Sequence, residues 1–193
     1  TLLTTPDFDF MLRDSRAQGL IVSQALLPAF EPLIGQIPTL RTVITAGDDS
    51  SSNTALAQMV RAQAATKTVA PTCADDACFW LYSSGSTGTP KGTVHLHSHL
   101  IQTAELYGRG VLGIRASDVV YSAAKLFFAY GLGNGLTFPM SVGATAILLP
   151  ARPTPAEVFR ILKEHQPTLF YGVPTLYAAL LADPARPPGS ELN

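Results

Sequence analysis

An apolar run passes directly into glycines, hydroxyls and a single lysine in Phe79-Trp-Leu-Tyr-Ser-Ser-Gly-Ser-Thr-Gly-Thr-Pro-Lys-Gly92. The apolar part predicts a strand. The segment that follows, Thr93-Val-His-Leu-His97, alternates apolar and polar residues, which predicts a second strand. A helix is expected only from about Ser98, a residue suited to the N-cap position. The sequence therefore predicts a loop that bridges two strands.

The loop between these strands has the composition of a phosphate-binding loop. Glycines at 85, 88 and 92 let the backbone turn with positive φ and approach a ligand closely, so that N–H groups converge on it. Lys91 adds a movable positive charge. Neutral hydroxyl donors come from Ser83, Ser84, Ser86, Thr87 and Thr89.

Two other interpretations of the loop are disfavoured. A Walker A loop needs Gly-Lys followed directly by Ser or Thr, whereas Lys91 stands between Pro90 and Gly92. A flexible Ser/Gly linker has no need of this Pro-Lys-Gly sequence and seldom joins two apolar strands.

The rest of the chain alternates apolar runs with helical patterns. We expect an α/β fold, with a mostly parallel sheet and helices on both faces. The last predicted helix has a clear start, because Thr154 is a good N-cap, Pro155 fits the first turn and Glu157 can complete a capping box. The predicted strands are 19–23, 42–45, 119–122, 144–149 and 168–171, and the predicted helices are 26–37, 55–65, 131–140 and 154–165. Residues 48–76 are predicted to be a surface excursion that holds a possible subdomain boundary.

Composition narrows the possible partners. Hydrophobic residues make up 47% of the chain and charged residues 14%, so we expect some apolar surface to be covered. The net charge of −1 and the lack of a basic cluster argue against nucleic acid and anionic membranes as partners. No apolar run approaches the roughly 18 residues of a membrane span. Cys73 and Cys78 match no zinc, redox or disulfide pattern, so we expect reduced thiols in a soluble, cytoplasmic protein.

The run Tyr82 to Gly92 closely resembles the signature loop of the adenylate-forming superfamily, which comprises acyl-CoA synthetases, peptide-synthetase adenylation domains and firefly-type luciferases. The resemblance implies an enzyme that joins a carboxylate to ATP and, in the ligase branch, transfers the acyl group to CoA. It implies that the loop holds the β- and γ-phosphates of ATP together with Mg²⁺. The expected ATP-binding residues are Ser83, Ser84, Gly85, Ser86, Thr87, Gly88, Thr89 and Lys91, of which Lys91 and Thr87 are expected to be catalytic.

A second run, Ala124 to Leu132, resembles the superfamily motif Leu-Pro-Leu-Phe-His-x-x-Gly-Leu. Phe128 occupies the His position, and Tyr130 stands where aryl-acid ligases have a pocket wall, which suits a flat aromatic acid. The wider runs 122–134 and 103–109 look like the benzoate:CoA ligase branch. The substrate-binding residues implied by this resemblance are Phe128, Ala129, Tyr130 and Gly131.

For some residues the sequence allows more than one role. By themselves, Phe127, Phe128 and Tyr130 would be core aromatics on a buried helix; the resemblance reverses this for Phe128 and Tyr130 but not for Phe127. Lys125 either pairs with a carboxylate or extends its amine to solvent. Structural roles are expected for the three closely spaced histidines, because no complete metal-ligand set accompanies them: His95, His97 and His99. The turn 171–175 resembles the family's Val-Pro-Thr turn and is expected to shape the pocket floor.

The resemblance covers the whole chain but well under half of a typical superfamily member. The adenine, ribose and adenylation-lysine motifs and the C-terminal domain do not appear, and both ends of the sequence are expected to be cuts through a longer protein. We therefore expect residues 1–193 to be part of the large N-terminal, AMP-binding domain of a benzoate:CoA ligase and to be inactive alone. The alternatives are a ligase for a hydroxybenzoate, a cinnamate-like acid or a medium-chain fatty acid, and a non-catalytic nucleotide-binding module.

Overall fold

The computed structural model describes residues 3–47, 56–66, 68–84 and 90–191. The chain divides into two compact units, with unit 1 formed by Thr1–Thr72 and Cys78–His95 and unit 2 by Cys73–Ala77 and Leu96–Asn193. The subdomain boundary predicted within 48–76 stays a prediction, since unit 1 contains residues on both sides of that segment. Within the described ranges, no helix is both long and apolar enough to cross a bilayer.

Unit 1 is built on two parallel strands and the helices packed on them. Strand β1 (Gly19–Ser23) pairs with β2 (Thr42–Ala46), as predicted. The helix predicted over 26–37 is broken into a 3₁₀ turn, the short helix α2 (Leu27–Phe30) and a second 3₁₀ turn, because Pro28 and Pro32 lack the amide hydrogen that a continuous helix requires. The buried core residues of unit 1 are Phe8, Leu12, Val22, Phe30, Leu33 and Ile37.

Two further helices belong to unit 1. Helix α1 (Thr5–Asp14) begins after Thr4, whose backbone N–H and hydroxyl both donate to the Asp7 carboxylate at 2.8 and 2.7 Å. These two hydrogen bonds hold the pKa of Asp7 below its usual value. Helix α3 (Leu56–Ala62) lies within the range predicted as 55–65.

The predicted pair of strands around the loop is confirmed. Strand β3 (Ala77–Ser84) is hydrogen-bonded to β4 (Pro90–Leu96). Strand β4 ends one residue earlier than predicted, and helix α4 (His97–Thr103) begins at His97 with Leu96 as its N-cap residue. The prediction that Ser98 caps this helix is therefore wrong. The Leu96 N–H donates to Nδ1 of His99 at 3.3 Å, so the side chain that satisfies this amide lies inside the helix.

Unit 2 contains a three-stranded parallel sheet in the order β6-β5-β7. The strands are β5 (Val119–Ser122), β6 (Thr145–Ile147) and β7 (Leu169–Tyr171). Val120 and Tyr121 are both fully buried and point to opposite faces of β5. Val120 packs with Ala104, Ile114, Phe138 and Tyr171 on one face, and Tyr121 packs with Val158, Phe159, Ile161, Leu176 and Leu180 on the other. The predicted parallel sheet with helices on both faces is confirmed in this unit.

The helices of unit 2 follow the prediction in part. Helix α7 (Pro155–His165) begins as predicted, with the Glu157 N–H donating to the Thr154 hydroxyl at 3.4 Å, but the Glu157 carboxylate pairs with Arg160 at 2.9 Å and does not complete a capping box. The stretch predicted as helix 131–140 contains a π-helical turn between two α-helical pieces. The elements are α5 (Ala129–Leu132), π-helix Gly133–Thr137 and α6 (Phe138–Val142), with a second π-helix at Ala104–Arg109 and helix α8 (Pro174–Ala182) after β7.

Candidate active site

The strands on either side of the predicted phosphate loop are placed, while the centre of the loop lies outside the described residues. Ser83 is exposed at the end of β3, and Lys91 is exposed as the second residue of β4. Because Lys91 lies in a strand and no helix begins there, the geometry of a Walker A loop is excluded, as predicted. The predicted ATP-binding residues outside the described part are Gly85, Ser86, Thr87, Gly88 and Thr89.

A contact that sequence reasoning missed anchors the strand that enters this loop. The Tyr82 hydroxyl donates to the Asp14 carboxylate at 2.6 Å, which connects β3 to the end of α1. Partial burial, together with the hydrogen bond and negative charge of Asp14, raises the pKa of Tyr82 to about 12. Asp14 and Tyr82 are 68 residues apart, and no local pattern indicates that they meet.

Gly92 has a different role from the one predicted. Its φ is not in the left-handed region, so the predicted positive-φ turn at this glycine is wrong. A Cβ placed on Gly92 would lie 2.9 Å from Cζ of Tyr82. Gly92 is therefore the residue that lets the Tyr82 ring lie directly against the backbone of β4.

The predicted acid-binding residues lie together on one helical turn of unit 2. The chain leaves β5, makes a turn in which the Phe128 N–H donates to the Lys125 carbonyl at 3.0 Å, and enters α5 after Phe128. Phe128 and Tyr130 are 56% and 46% exposed, so neither is a core residue of this chain. Ala129 is exposed as well, whereas Gly131 is buried.

Tyr130 contacts the strand end that was expected to form the pocket floor. Its ring meets Tyr171 edge-on, with ring centroids 6.4 Å apart and an interplanar angle of 90°. Its hydroxyl donates to the Gly172 carbonyl at 3.3 Å. Burial, with smaller contributions from Tyr177 and Tyr107, raises the pKa of Tyr130 above its ordinary value. The structure thus brings Tyr130 together with the turn after β7.

The expectation that Phe127 is a core residue is wrong for this chain. Phe127 lies in the turn before α5 and is 61% exposed. Its ring lies against the ring of Phe128, with the centroids 4.5 Å apart. The sequence could not show that Phe127 is exposed, because a phenylalanine in a turn and one on the buried face of a helix look the same in an apolar run.

Gly131 holds α5 against the preceding turn. A Cβ on Gly131 would lie 2.1 Å from the Lys125 carbonyl oxygen and 2.8 Å from that of Ala124. Backbone atoms cannot move aside as a flexible side chain can, so a larger residue would push the helix away from the turn. The position of Tyr130 therefore depends on glycine at 131, while a direct contact between Gly131 and substrate stays a prediction.

Neither alternative for Lys125 describes what the structure shows. The Lys125 ammonium donates to the main-chain carbonyls of Leu149, Pro150 and Ala151, at 3.2 Å to Pro150 and 2.5 Å to Ala151. Within the described parts of the chain, no ion pair joins Lys125 to a carboxylate. Lys125 is thus bound to backbone acceptors in the segment that follows β6.

Other features of the structure do not belong to this site. A cavity of about 600 Å³ lies on the opposite face of β7, between α7, α8 and the segment near Pro187, and no predicted site residue lines it. His95 stacks on Phe79 with ring centroids 4.9 Å apart, and His99 accepts the Leu96 N–H. Among the residues that the structure describes, no group of three or more His, Cys, Asp and Glu side chains is placed to hold a metal ion.

The described site residues form two groups, one in each unit. Ser83 and Lys91 offer a hydroxyl and an ammonium beside the loop of unit 1, which are groups that bind anions. Phe128 and Tyr130 offer a half-exposed aromatic wall with one hydroxyl tip in unit 2, which suits a flat apolar ligand.

Comparison with known proteins assigns the chain to a family. The sequence profile of the AMP-binding enzyme family matches residues 1–192. The chain is 59% identical over 193 residues to the benzoate–CoA ligase of Thauera aromatica, covering 100% of this chain and 36% of that protein. The chain therefore spans about a third of the length of this relative.

Solved structures show the same similarity. A benzoate CoA ligase from Burkholderia xenovorans LB400 superimposes with a TM-score of 0.86 at 47% identity, over 100% of this chain and 37% of that one. The anthranilate CoA ligase AuaEII, solved in complex with anthranoyl-AMP, superimposes with a TM-score of 0.91 at 38% identity, over the same shares of the two chains.

Proposed function

Since the chain belongs to the AMP-binding enzyme family, we propose that it is part of an ATP-dependent aryl-acid:CoA ligase whose acid is benzoate. The observation that carries the proposal is the 59% identity to a benzoate–CoA ligase over all 193 residues. The exposed aromatic wall of Phe128 and Tyr130 supports it, because a wall of this kind fits a flat ring better than a flexible alkyl chain.

The proposed reaction has two steps. A benzoate oxygen attacks the α-phosphorus of ATP, which gives benzoyl-adenylate and releases pyrophosphate. The sulfur of CoA then attacks the acyl carbon, and AMP leaves as benzoyl-CoA forms. The first step requires that the acid be held beside the α-phosphate, and the second that the adenylate be held beside the CoA thiol, which loses its proton as the thioester forms. Correct orientation of the two reactants removes a large part of the barrier in each step.

Each group of site residues has one task in this proposal. Lys91 and the loop residues Ser83 to Thr89 bind the β- and γ-phosphates and stabilise the charge of the leaving pyrophosphate, with Lys91 and Thr87 closest to the chemistry. Phe128 lies at the junction between acid and phosphates, and Tyr130 contacts the ring. Ala129 presents only a methyl group beside the wall, and Gly131 lets α5 pack on the turn that positions Tyr130.

ATP and CoA are the proposed co-substrates, and Mg²⁺ is proposed to arrive bound to the ATP phosphates. The described residues offer no cluster of acidic or imidazole ligands for a metal, so we assign no ligand to Mg²⁺ in this chain and derive no step through it. No nucleic acid or membrane partner is part of the proposal. A cytoplasmic location is proposed too, which suits the two free thiols of Cys73 and Cys78.

The proposal is tested by measuring AMP release and benzoyl-CoA formation with a longer protein that contains this chain together with its C-terminal domain. Benzoate should support CoA-dependent AMP release, and the 193-residue chain alone should bind ATP weakly and form no thioester. An acid panel should include hydroxybenzoates, cinnamate and a medium-chain fatty acid. A clear preference for one of these would replace benzoate as the substrate, and ATP binding without AMP release for any acid would favour a non-catalytic nucleotide-binding module.

A further inference from the structure

The hydrogen bonds of Lys125 differ from those of an ordinary surface lysine. Three consecutive carbonyl oxygens, from Leu149 to Ala151, point toward one ammonium group. An ammonium has three N–H donors, so these three acceptors can satisfy all of them. The carbonyls belong to the segment directly after β6, where the chain has left the sheet and its backbone acceptors need other partners.

The main chain of Lys125 contacts the turn and helix that carry Phe128 and Tyr130. Its carbonyl accepts the Phe128 N–H at 3.0 Å and lies against Gly131, where a Cβ would come within 2.1 Å of that oxygen. Lys125 therefore connects two parts of unit 2. Its side chain binds the segment after β6, and its backbone contacts the turn and helix that carry the aromatic wall.

We propose that Lys125 is a positioning residue for acid binding, and that its ammonium serves as a tethered cation in a site made of the carbonyl oxygens of residues 149–151. When this cation is bound, the turn from 125 to 128 is held, and Phe128 and Tyr130 keep the orientation in which they bind the ring. This inference rests on the proposed function, because it assumes that Phe128 and Tyr130 bind the acid.

The charge of the site agrees with a cation. Carbonyl oxygens carry partial negative charge, and hydrogen bonds to the charged form favour that form. Partial burial acts in the other direction and lowers the pKa of Lys125 from its ordinary value. A compact ammonium suits three convergent acceptors better than a planar guanidinium, whose donors diverge in a fixed fork.

The test uses the longer ligase that contains this chain and the variant Lys125→Met, which keeps an apolar stem and removes the ammonium. The matched control is Lys163→Met, because Lys163 is exposed on α7 and pairs with Glu191 at 2.7 Å. We expect Lys125→Met to raise KM for benzoate by roughly 10- to 100-fold, the scale on which small displacements of binding groups act, with KM for ATP changed by less than about twofold. Lys163→Met should leave both values unchanged.

Hydrogen exchange in the same proteins gives a readout that does not require activity. In Lys125→Met, amide exchange should accelerate in a peptide that covers 125–132, which contains the Phe128 and Leu132 amides, and should be unchanged in helix α7. If KM for benzoate and KM for ATP rise together, or exchange accelerates throughout unit 2, Lys125 has a general structural role and the proposal is overturned. Unchanged KM values and unchanged exchange overturn it as well.

Failure of the proposed function gives a separate result. If the wild-type protein forms no benzoyl-CoA, the aryl-acid ligase proposal fails, and the exchange experiment still decides whether the Lys125 ammonium holds the turn. If wild type is active and exchange accelerates only in 125–132 but KM for benzoate is unaffected, the ligase proposal stands and the positioning role in acid binding is overturned.

Discussion

Tyr130 is held at two points, by the edge of its ring on Tyr171 and by its hydroxyl on the Gly172 carbonyl, and still exposes 46% of its surface. A tyrosine held in this way keeps a fixed orientation and presents one ring face or edge to a ligand. It differs in this respect from a mobile surface tyrosine and from a core residue.

Replacing Tyr130 with Ala in the complete ligase should open space beside the aromatic ring of the substrate. We expect kcat/KM for benzoate to fall by roughly 10- to 200-fold, which corresponds to about 1 to 3 kcal/mol of lost packing. Bulkier ring-substituted benzoates should lose less or improve, because they fill the space that the variant opens. The measurement is kcat/KM over a panel of unsubstituted and substituted benzoates.

Two controls separate the ring pocket from other roles. Tyr130→Phe keeps the ring and removes the hydrogen bond to Gly172, so it should have a smaller effect on benzoate than Tyr130→Ala. Lys91→Ala should slow adenylation of every acid alike, because its proposed partner is the phosphate chain of ATP. If Tyr130→Ala changes kcat/KM for all acids by one common factor, Tyr130 has no contact with the ring.

At the scale of elements, the strand that enters the proposed phosphate loop is connected to helix α1 by one side-chain hydrogen bond. Tyr82 is at the third position from the end of β3, and Asp14 is the last residue of α1. Glycine at 92 gives the Tyr82 ring its place on the neighbouring strand. These three residues fix the end of β3 from which the loop begins.

Tyr82→Phe should destabilise unit 1 without disturbing the packing of the ring on Gly92. We expect the free energy of unfolding to fall by about 1 kcal/mol, the net value of a typical hydrogen bond. Urea unfolding of wild type and variant measures this difference. Asp14→Asn, which keeps an acceptor oxygen, should lose less, and a loss in Asp14→Asn larger than in Tyr82→Phe would show that Asp14 has another partner.

The elements that the sequence predicted well are those with strong local signals. Strand β5 was visible as a continuous apolar run, and α7 as an apolar stripe after a Thr-Pro start. Helix α1 was not predicted, although Thr4 and Asp7 form an N-terminal capping signal, because only Phe8 and Leu12 mark its buried face. The π-helices could not be predicted, since a five-residue hydrogen-bond spacing leaves no distinct apolar pattern.

In the candidate site, too, local features could be predicted from the sequence and long-range contacts could not. The predictions of a phosphate loop and of an acid-binding pair, Phe128 and Tyr130, both come from short motifs, which are local in sequence. The contacts that hold these motifs join residues far apart in sequence. Tyr82 and Asp14 are 68 positions apart, and Lys125 is 24 to 26 positions from its carbonyl partners. Contacts of that separation depend on the tertiary fold, so no window of sequence could reveal them.

At the scale of the whole molecule, the composition predicted apolar surface beyond what a protein surface ordinarily exposes. The structure locates part of it on α4, the π-helix that follows α4, the turn after this π-helix, and α6. The exposed fractions are 68% for Ile101, 74% for Leu106, 70% for Val111 and 73% for Met140. A chain that spans 36% of a relative's length leaves room for further segments to cover such residues, and in the proposed ligase these residues are the surface on which we expect the remaining protein to pack.

The stability of the molecule at alkaline pH should depend on Tyr171. Its hydroxyl is buried and has no hydrogen-bond partner among the residues that the structure describes. Burial, followed by the effects of Tyr107, Tyr130 and Asp118, raises the pKa of Tyr171 to about 12. The unfolded tyrosine ionises near pH 10, so the unfolded state releases its proton first as the pH rises. The stabilising contribution is therefore complete below pH 10 and is lost as the pH rises through about 12.

Tyr171→Phe tests this dependence, because it removes the ionisable hydroxyl and keeps the ring in the core cluster that contains Val120 and Phe138. At pH 8 the free energy of unfolding should change by less than about 1 kcal/mol, since no hydrogen bond within the described structure is lost and a buried unpaired polar group is removed. Between pH 10 and 12 the wild type should lose stability faster than Tyr171→Phe, so that the variant becomes the more stable of the two. Urea unfolding at pH 8, 10 and 11 measures the difference. A constant difference across this range would show that the Tyr171 hydroxyl ionises equally in the folded and unfolded states, and a large loss at pH 8 would show that the hydroxyl has a partner after all.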